Sequence, residues 1–197
     1  MAPLRPNLPI AVLLAVAAVL VGAGCSSNDS AGEGEHPDYE RALAGAPAPL
    51  AALHAQANEL LGGDVEAYQQ RIGELDGYPV VANLWASWCG PCRFEFPHFQ
   101  QAAATYGKRV AFLGIDSQDN DGYAEDFLRE EPVPYPSYRD PDEEIANELG
   151  ARGLPATAFY DRRGNLVFLQ QKPYTEIGEL RADIERYALG GDGAGSG

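Results

Sequence analysis

Positive charge is scarce in this chain. Lysine and arginine together number 14 against 29 aspartates and glutamates, a formal charge of −15 over 197 residues. Such a surface repels phosphate backbones, so nucleic acid is not an expected partner; beyond that it describes a well-solvated acidic protein. Cysteine is scarcer still: three, at 25, 89 and 92. A disulfide-stapled scaffold of this length would need more bridges. No second CxxC accompanies the pair at 89 and 92 and no HxxxH is present, so a four-ligand zinc site finds no partners and no metal is expected. No internal repeat is visible. The N-terminal apolar run, residues 10–21, is shorter than the ~20 residues a membrane span requires.

What that run does fit is the apolar core of a secretory signal. It ends in Gly22, Ala23 and Gly24, directly before Cys25. The segment resembles a bacterial lipoprotein signal cleaved before Cys25, which would carry the lipid; it departs from that pattern at Gly22, where leucine is usual. Ordinary cleavage near Ala23 and an uncleaved anchor are the other two readings. All three place the remaining chain outside the cytoplasm, and lipidation of Cys25 would explain the odd cysteine count. The expected organisation is a signal peptide over 1–24, a small, polar, Pro- and Gly-rich tether over 25–49, a folded domain over 50–190, and a glycine-rich tail over 191–197.

Within the domain, leucines at 50, 53, 60 and 61 suggest a short helix, with a first strand as the rival reading. Asp64 caps a clearer helix carrying Val65, Tyr68, Ile72 and Leu75 on one face. The apolar, β-branched runs at 79–85 and 110–116 read as buried strands. Helices are predicted from the cysteines to about Tyr106, over 121–130, after the Pro-rich stretch near 141–150, and over 176–189. A hairpin is predicted around Arg162, Arg163, Gly164 and Asn165. Alternation followed by a hairpin gives an α/β domain: a mixed sheet with helices on both faces.

The first of those strands runs into Trp88, Cys89, Gly90, Pro91 and Cys92. A thiolate, not a thiol, attacks a disulfide. Cys89 at a helix start would face free N–H groups and the positive end of the helix dipole, which draw a cysteine pKa from ~8.5 toward neutrality. Cys92, one turn on, could resolve a mixed disulfide. Gly90 lets the turn close, and Pro91 suits the first helical turn, where no N–H is needed. Trp88 would stand as an apolar wall beside the sulfur.

The string WCGPC after a buried strand resembles thioredoxin, and the longer NLWASWCGPCRFEFP resembles its exported TlpA/ResA/DsbE branch. The similarity covers roughly residues 64–189 and implies the thioredoxin fold and thiol–disulfide exchange by Cys89 and Cys92. It implies a further role for Glu95, three residues past Cys92, where this branch has a glutamate beside the dithiol. Thioredoxin's buried strand aspartate is matched here by Asn83, which cannot titrate, so Glu95 is expected to carry the proton. A solvated helix carboxylate is the alternative. The resemblance also implies a proline kink at Pro97, and a cis peptide at Pro155 lying against the disulfide, with Leu154 offering its backbone to an extended substrate. His36, His54 and His98 receive no role.

These features favour an extracytoplasmic reductase of disulfides in exported proteins, the haem-binding cysteines of apocytochromes c among them. It would be fed by a membrane thiol carrier and would need no cofactor beyond the Cys89–Cys92 pair. An oxidase of secreted thiols is the alternative. A Sco-type copper carrier spaces its cysteines CxxxC and adds a late histidine; here no histidine follows His98. The peroxiredoxin motif PxxxTxxC is absent.

Overall fold

A computed structural model describes residues 36–190. The expected signal peptide, Cys25, the first part of the tether and the tail at 191–197 lie outside the described residues. Six strands form one mixed sheet in the order β1-β4-β3-β2-β5-β6. Its centre is β2 (Val80–Trp85), parallel to β3 (Ala111–Ser117) and antiparallel to β5 (Ala156–Tyr160). Every residue of these three strands is buried, which is why they read as unbroken apolar runs. The hairpin closes with β6 (Leu166–Gln170) on one edge. On the other lie β4 (Ser137–Asp140) and the two-residue β1 (Leu60–Leu61).

Side-chain alternation along β2 divides the core. Val81 and Trp85 face one layer, with α4 (Gly90–Tyr106), α5 (Asp121–Glu130) and α7 (Ile177–Asp183). Val80, Ala82 and Leu84 face the other, with α2 (Ala48–His54), α3 (Val65–Glu74) and α6 (Glu144–Leu149). The first layer is organised by aromatic rings: Trp85, Phe96 and Phe127 meet pairwise at centroid distances of 4.6–5.4 Å. Each ring buried in this way contributes about 1.5–3 kcal/mol. The last helix changes to π-helical winding over Ile184–Ala188, which keeps Ile184 and Ala188 buried.

The domain begins earlier than expected. Helix α1 (Tyr39–Leu43), capped by Asp38, falls inside the predicted tether. It is held because Leu43 is buried and the Tyr39 hydroxyl donates to the Pro132 carbonyl at 2.9 Å. The leucines at 50–61 divide between the two rival readings: α2 takes Leu50 and Leu53, β1 takes Leu60 and Leu61. Strand β4, expected as part of a Pro-rich loop, is fixed by side chains pointing inward. The Trp85 indole donates to the Ser137 hydroxyl at 3.2 Å, and Asp140 caps α6 through the amides of Ile145 and Ala146.

Gly114 on β3 leaves room for the Trp85–Ser137 bond. A methyl group there would lie 2.0 Å from Ser137 Oγ and 2.9 Å from the Trp85 ring nitrogen. Gly114→Ala should therefore destabilise the domain by at least the ~1–3 kcal/mol of an overpacked core, measured as a lower denaturation midpoint in urea.

Candidate functional site

Strand β2 ends at Trp85 and the chain turns through Ala86, Ser87 and Trp88 into Cys89, the N-cap of α4. Gly90 and Pro91 occupy the first helical positions, as the sequence predicts. Pro91 has no N–H to leave unsatisfied, and the next amide, Cys92 N–H, points at Cys89 Sγ from 3.2 Å. That is the arrangement in which a helix start stabilises a negative sulfur. Cys89 and Cys92 are joined as a disulfide with Cα atoms 5.2 Å apart. Access is unequal: Cys89 is 4% exposed and Cys92 fully buried. Cys89 is thus less open in the oxidised protein than the expected exposed sulfur.

Trp88 does stand open to solvent at 60% exposure, with its ring nitrogen donating to the Gln118 carbonyl at 2.9 Å. Together with Ser87, Arg93, Tyr123 and Glu130 it borders a cleft of about 320 Å³. Pro97 lies inside the continuous helix α4. It cannot donate to the Arg93 carbonyl one turn back, the cause of a proline bend.

Glu95 is not a solvated helix carboxylate. It is fully buried, one turn beyond Cys92 on the same face of α4. One oxygen, Oε2, accepts the Tyr174 amide at 2.9 Å; the other, Oε1, meets no donor among the described residues. Burial pushes its carboxyl up to about 8, against the smaller lowering effect of the Tyr174 bond. Tyr174 is itself held by its hydroxyl, which donates to Asp183 at 2.8 Å. Asn83, on the same sheet face as Val81 and Trp85, is also buried, and its side-chain amide has no partner among the described residues.

The Leu154–Pro155 peptide is cis. Pairing of Leu84 with Ala156 in the antiparallel β2–β5 ladder sets Pro155 at the end of the sheet where β2 leads to the cysteines. Pro155 is buried and Leu154 half-buried. Three contributors escaped the sequence reading. Tyr174 reaches Glu95 through its backbone, which no side-chain pattern signals. Asp119 and Gln118, which fasten Ser87 and Trp88, lie 30 or more residues away in the chain.

A thioredoxin-fold sheet with a CxxC disulfide at the N-terminus of its central helix, and a cis-proline at the same end, defines a thiol–disulfide oxidoreductase. Comparison with known proteins agrees. Residues 44–169 match the AhpC/TSA family, and the chain belongs to that family, in its DsbE/ResA branch. It is 33% identical over 159 residues to the thiol:disulfide interchange protein DsbE of Escherichia coli K12, covering 80% of this chain and 79% of that one. It is 26% identical over 105 residues to the thiol-disulfide oxidoreductase ResA of Bacillus anthracis, covering 53% and 61%. Among solved structures, DsbF of Mycobacterium tuberculosis superposes with a TM-score of 0.53 at 29% identity, over 57% of this chain and 82% of that one.

Proposed function

We propose that the protein is an extracytoplasmic reductase of disulfides in exported proteins, with Cys89 as the attacking sulfur and Cys92 as the resolving one. The Cys89 thiolate attacks a substrate disulfide; that bond breaks, a mixed disulfide forms, and the departing substrate sulfur takes a proton. Cys92, its proton passed to Glu95, then attacks Cys89 Sγ. The second substrate sulfur leaves as a thiolate and takes up a proton, and two electrons have moved from the protein dithiol to the substrate. A membrane thiol carrier returns them by the reverse exchange. The sulfurs hold the electrons themselves, so the reading requires no further cofactor. Leu154 and the cis-Pro155 turn offer backbone groups to an extended substrate strand, and Trp88 covers the approach. Cysteine pairs of apocytochromes c are one substrate class that suits this role.

The observation that carries the direction of flow is Glu95. Strong oxidants of this fold hold their reduced form by stabilising the thiolate. The same burial that keeps the Glu95 carboxyl largely protonated near neutral pH disfavours a thiolate charge beside it, and so favours passing electrons on. The reduction potential should lie near thioredoxin's, about −270 mV, and not near the roughly −120 mV of DsbA. Equilibration with a glutathione or dithiothreitol buffer measures it; a value at the upper end would make the protein an oxidase of secreted thiols.

For localisation, the support is the signal-like run before Cys25 and the resemblance to exported relatives. Cys25 is proposed to carry the lipid that ties the protein to the membrane. Radiolabelled palmitate should enter the wild-type chain and not the Cys25→Ala chain. A Cys25→Ala protein that remains membrane-bound would make the apolar run the anchor.

A further inference from the structure

The loop leaving β3 is fastened to the loop leading into the cysteines. Asp119 accepts two hydrogen bonds from Ser87, one from its amide and one from its hydroxyl at 2.9 Å. The preceding residue, Gln118, accepts the Trp88 indole N–H. Gln118 has φ +54, a left-handed conformation that a non-glycine residue keeps only where its surroundings enforce it. Those surroundings are built on Asp140: its carbonyl accepts the Gln118 amide at 3.1 Å and its carboxylate accepts the Ser117 hydroxyl at 2.9 Å. Both residues immediately before Cys89 thus take their position from residues 117–119.

Asp119 has a partner below it. Asp116, near the end of β3, is 3% exposed, and its carboxyl group faces that of Asp119. Asp116 Oδ1 meets no donor among the described residues. Burial, and next the neighbouring Asp119 carboxylate, favour the protonated form of the Asp116 carboxyl. The other charges facing Asp116 are Asp121 from α5, which adds repulsion, and Arg139 from β4, which opposes it. Arg139 is already engaged by Asp121 at 3.0 Å and Glu125 at 3.9 Å.

We propose that Asp119 is a positioning residue for the dithiol, and that its hold on Ser87 and Trp88 depends on a proton carried by the Asp116 carboxyl beneath it. With the proton in place, Asp116 donates to Asp119, whose oxygens accept the Ser87 amide and hydroxyl. When the proton leaves, adjacent carboxylates repel, Asp119 withdraws, and the turn before Cys89 loosens. Burial, and next the charge of Asp119, push the Asp116 carboxyl up to about 8. The clamp is therefore closed at neutral pH and opens in alkali. Only its kinetic consequence rests on the reading of Cys89 and Cys92 as the working pair.

The test uses the full chain with Cys89 and Cys92 oxidised, so that neither thiol of the pair titrates, and follows hydrogen-exchange protection of the Ser87 amide and the Trp88 indole by NMR. In the wild type, protection should fall at least ~10-fold between pH 7 and pH 9, the tenfold change that one pH unit brings to a single proton equilibrium. Asp116→Asn, which supplies a donor to Asp119 at every pH, should abolish the fall. Glu95→Gln, which removes the other buried carboxyl titrating in this range, should leave it. Asp119→Ala should lose the protection already at pH 7 and, once reduced, should cleave a model peptide disulfide about 10- to 100-fold more slowly. Asp119→Asn keeps one acceptor oxygen and should recover part of both. Unchanged Ser87 protection in a folded Asp119→Ala protein overturns the positioning role, and an alkaline fall persisting in Asp116→Asn overturns the role of the Asp116 proton. If the protection data behave as stated while even the wild type fails to exchange disulfides, the clamp stands and the proposed function falls.

Discussion

Serine at position 92 should convert the protein into a trap. Cys92→Ser leaves the Cys89 thiolate able to attack a substrate disulfide and removes the group that resolves the product. Mixed disulfides through Cys89 should accumulate, visible as dithiothreitol-sensitive bands on non-reducing gels. Cys89→Ser should reduce insulin disulfide cleavage to background and trap nothing, because the remaining sulfur is fully buried behind the first turn of α4. The asymmetry follows from position along the helix. Cys89, as N-cap, receives the Cys92 amide, while Cys92 lies within the helix among Phe96, Phe99 and the other side chains of the first core layer. Equal trapping by the two variants would contradict this division of labour.

Glu95→Gln should separate the chemistry from the fold. Glutamine retains an acceptor for the Tyr174 amide and cannot change charge. In the reduced wild type, Glu95 and the two thiols should titrate as a coupled set, because each negative charge raises the proton affinity of the others. The pH profile of Cys89 alkylation should therefore change shape in the glutamine variant. Dithiol–disulfide exchange should slow, by up to the ~10²–10⁴-fold range of a general acid–base group. Stability should move the other way. Folding raises the Glu95 carboxyl from 4.5 to about 8, so the native state binds this proton more tightly than the unfolded chain. The stabilisation is complete below pH 4.5 and is lost as pH climbs through about 8, at ~1.4 kcal/mol for each pH unit climbed between those values. Oxidised Glu95→Gln should equal wild type in urea at pH 4 and exceed it at pH 9. Superimposable alkylation profiles and equal stability at pH 9 would remove Glu95 from the mechanism.

How much of this was legible in the sequence depended on how local the cause was. Strands β2 and β3 are buried on both faces and show as apolar runs. Helix α5 carries its own start in the Asn120 cap, and α3 in the Asp64 cap. Helix α1 was hidden because five residues in a Pro- and Gly-rich stretch make no period; burial of Leu43 holds it. Strand β4 was hidden by polarity, since Ser137 and Asp140 are buried to bond Trp85, Ser117 and α6. The site divides in the same way. The cysteines, Gly90 and Pro91 form a contiguous motif with its own chemistry. The position of Glu95 came from resemblance, but its burial depends on Tyr174, 79 residues away. The clamp at Ser87 is formed across 32 residues, a pairing that only the folded sheet brings about.

The chain's two tryptophans sit three residues apart and in opposite surroundings. Trp85 is fully buried against Phe96 and Phe127, while Trp88 lies open beside the sulfurs. Light absorbed by the protein is consequently re-emitted from one sealed source and one open one. Acrylamide in the buffer dims the second and spares the first. The redox centre thus comes with its own optical reporter and internal reference, so its oxidation and its encounters with other molecules can be followed in real time without a dye.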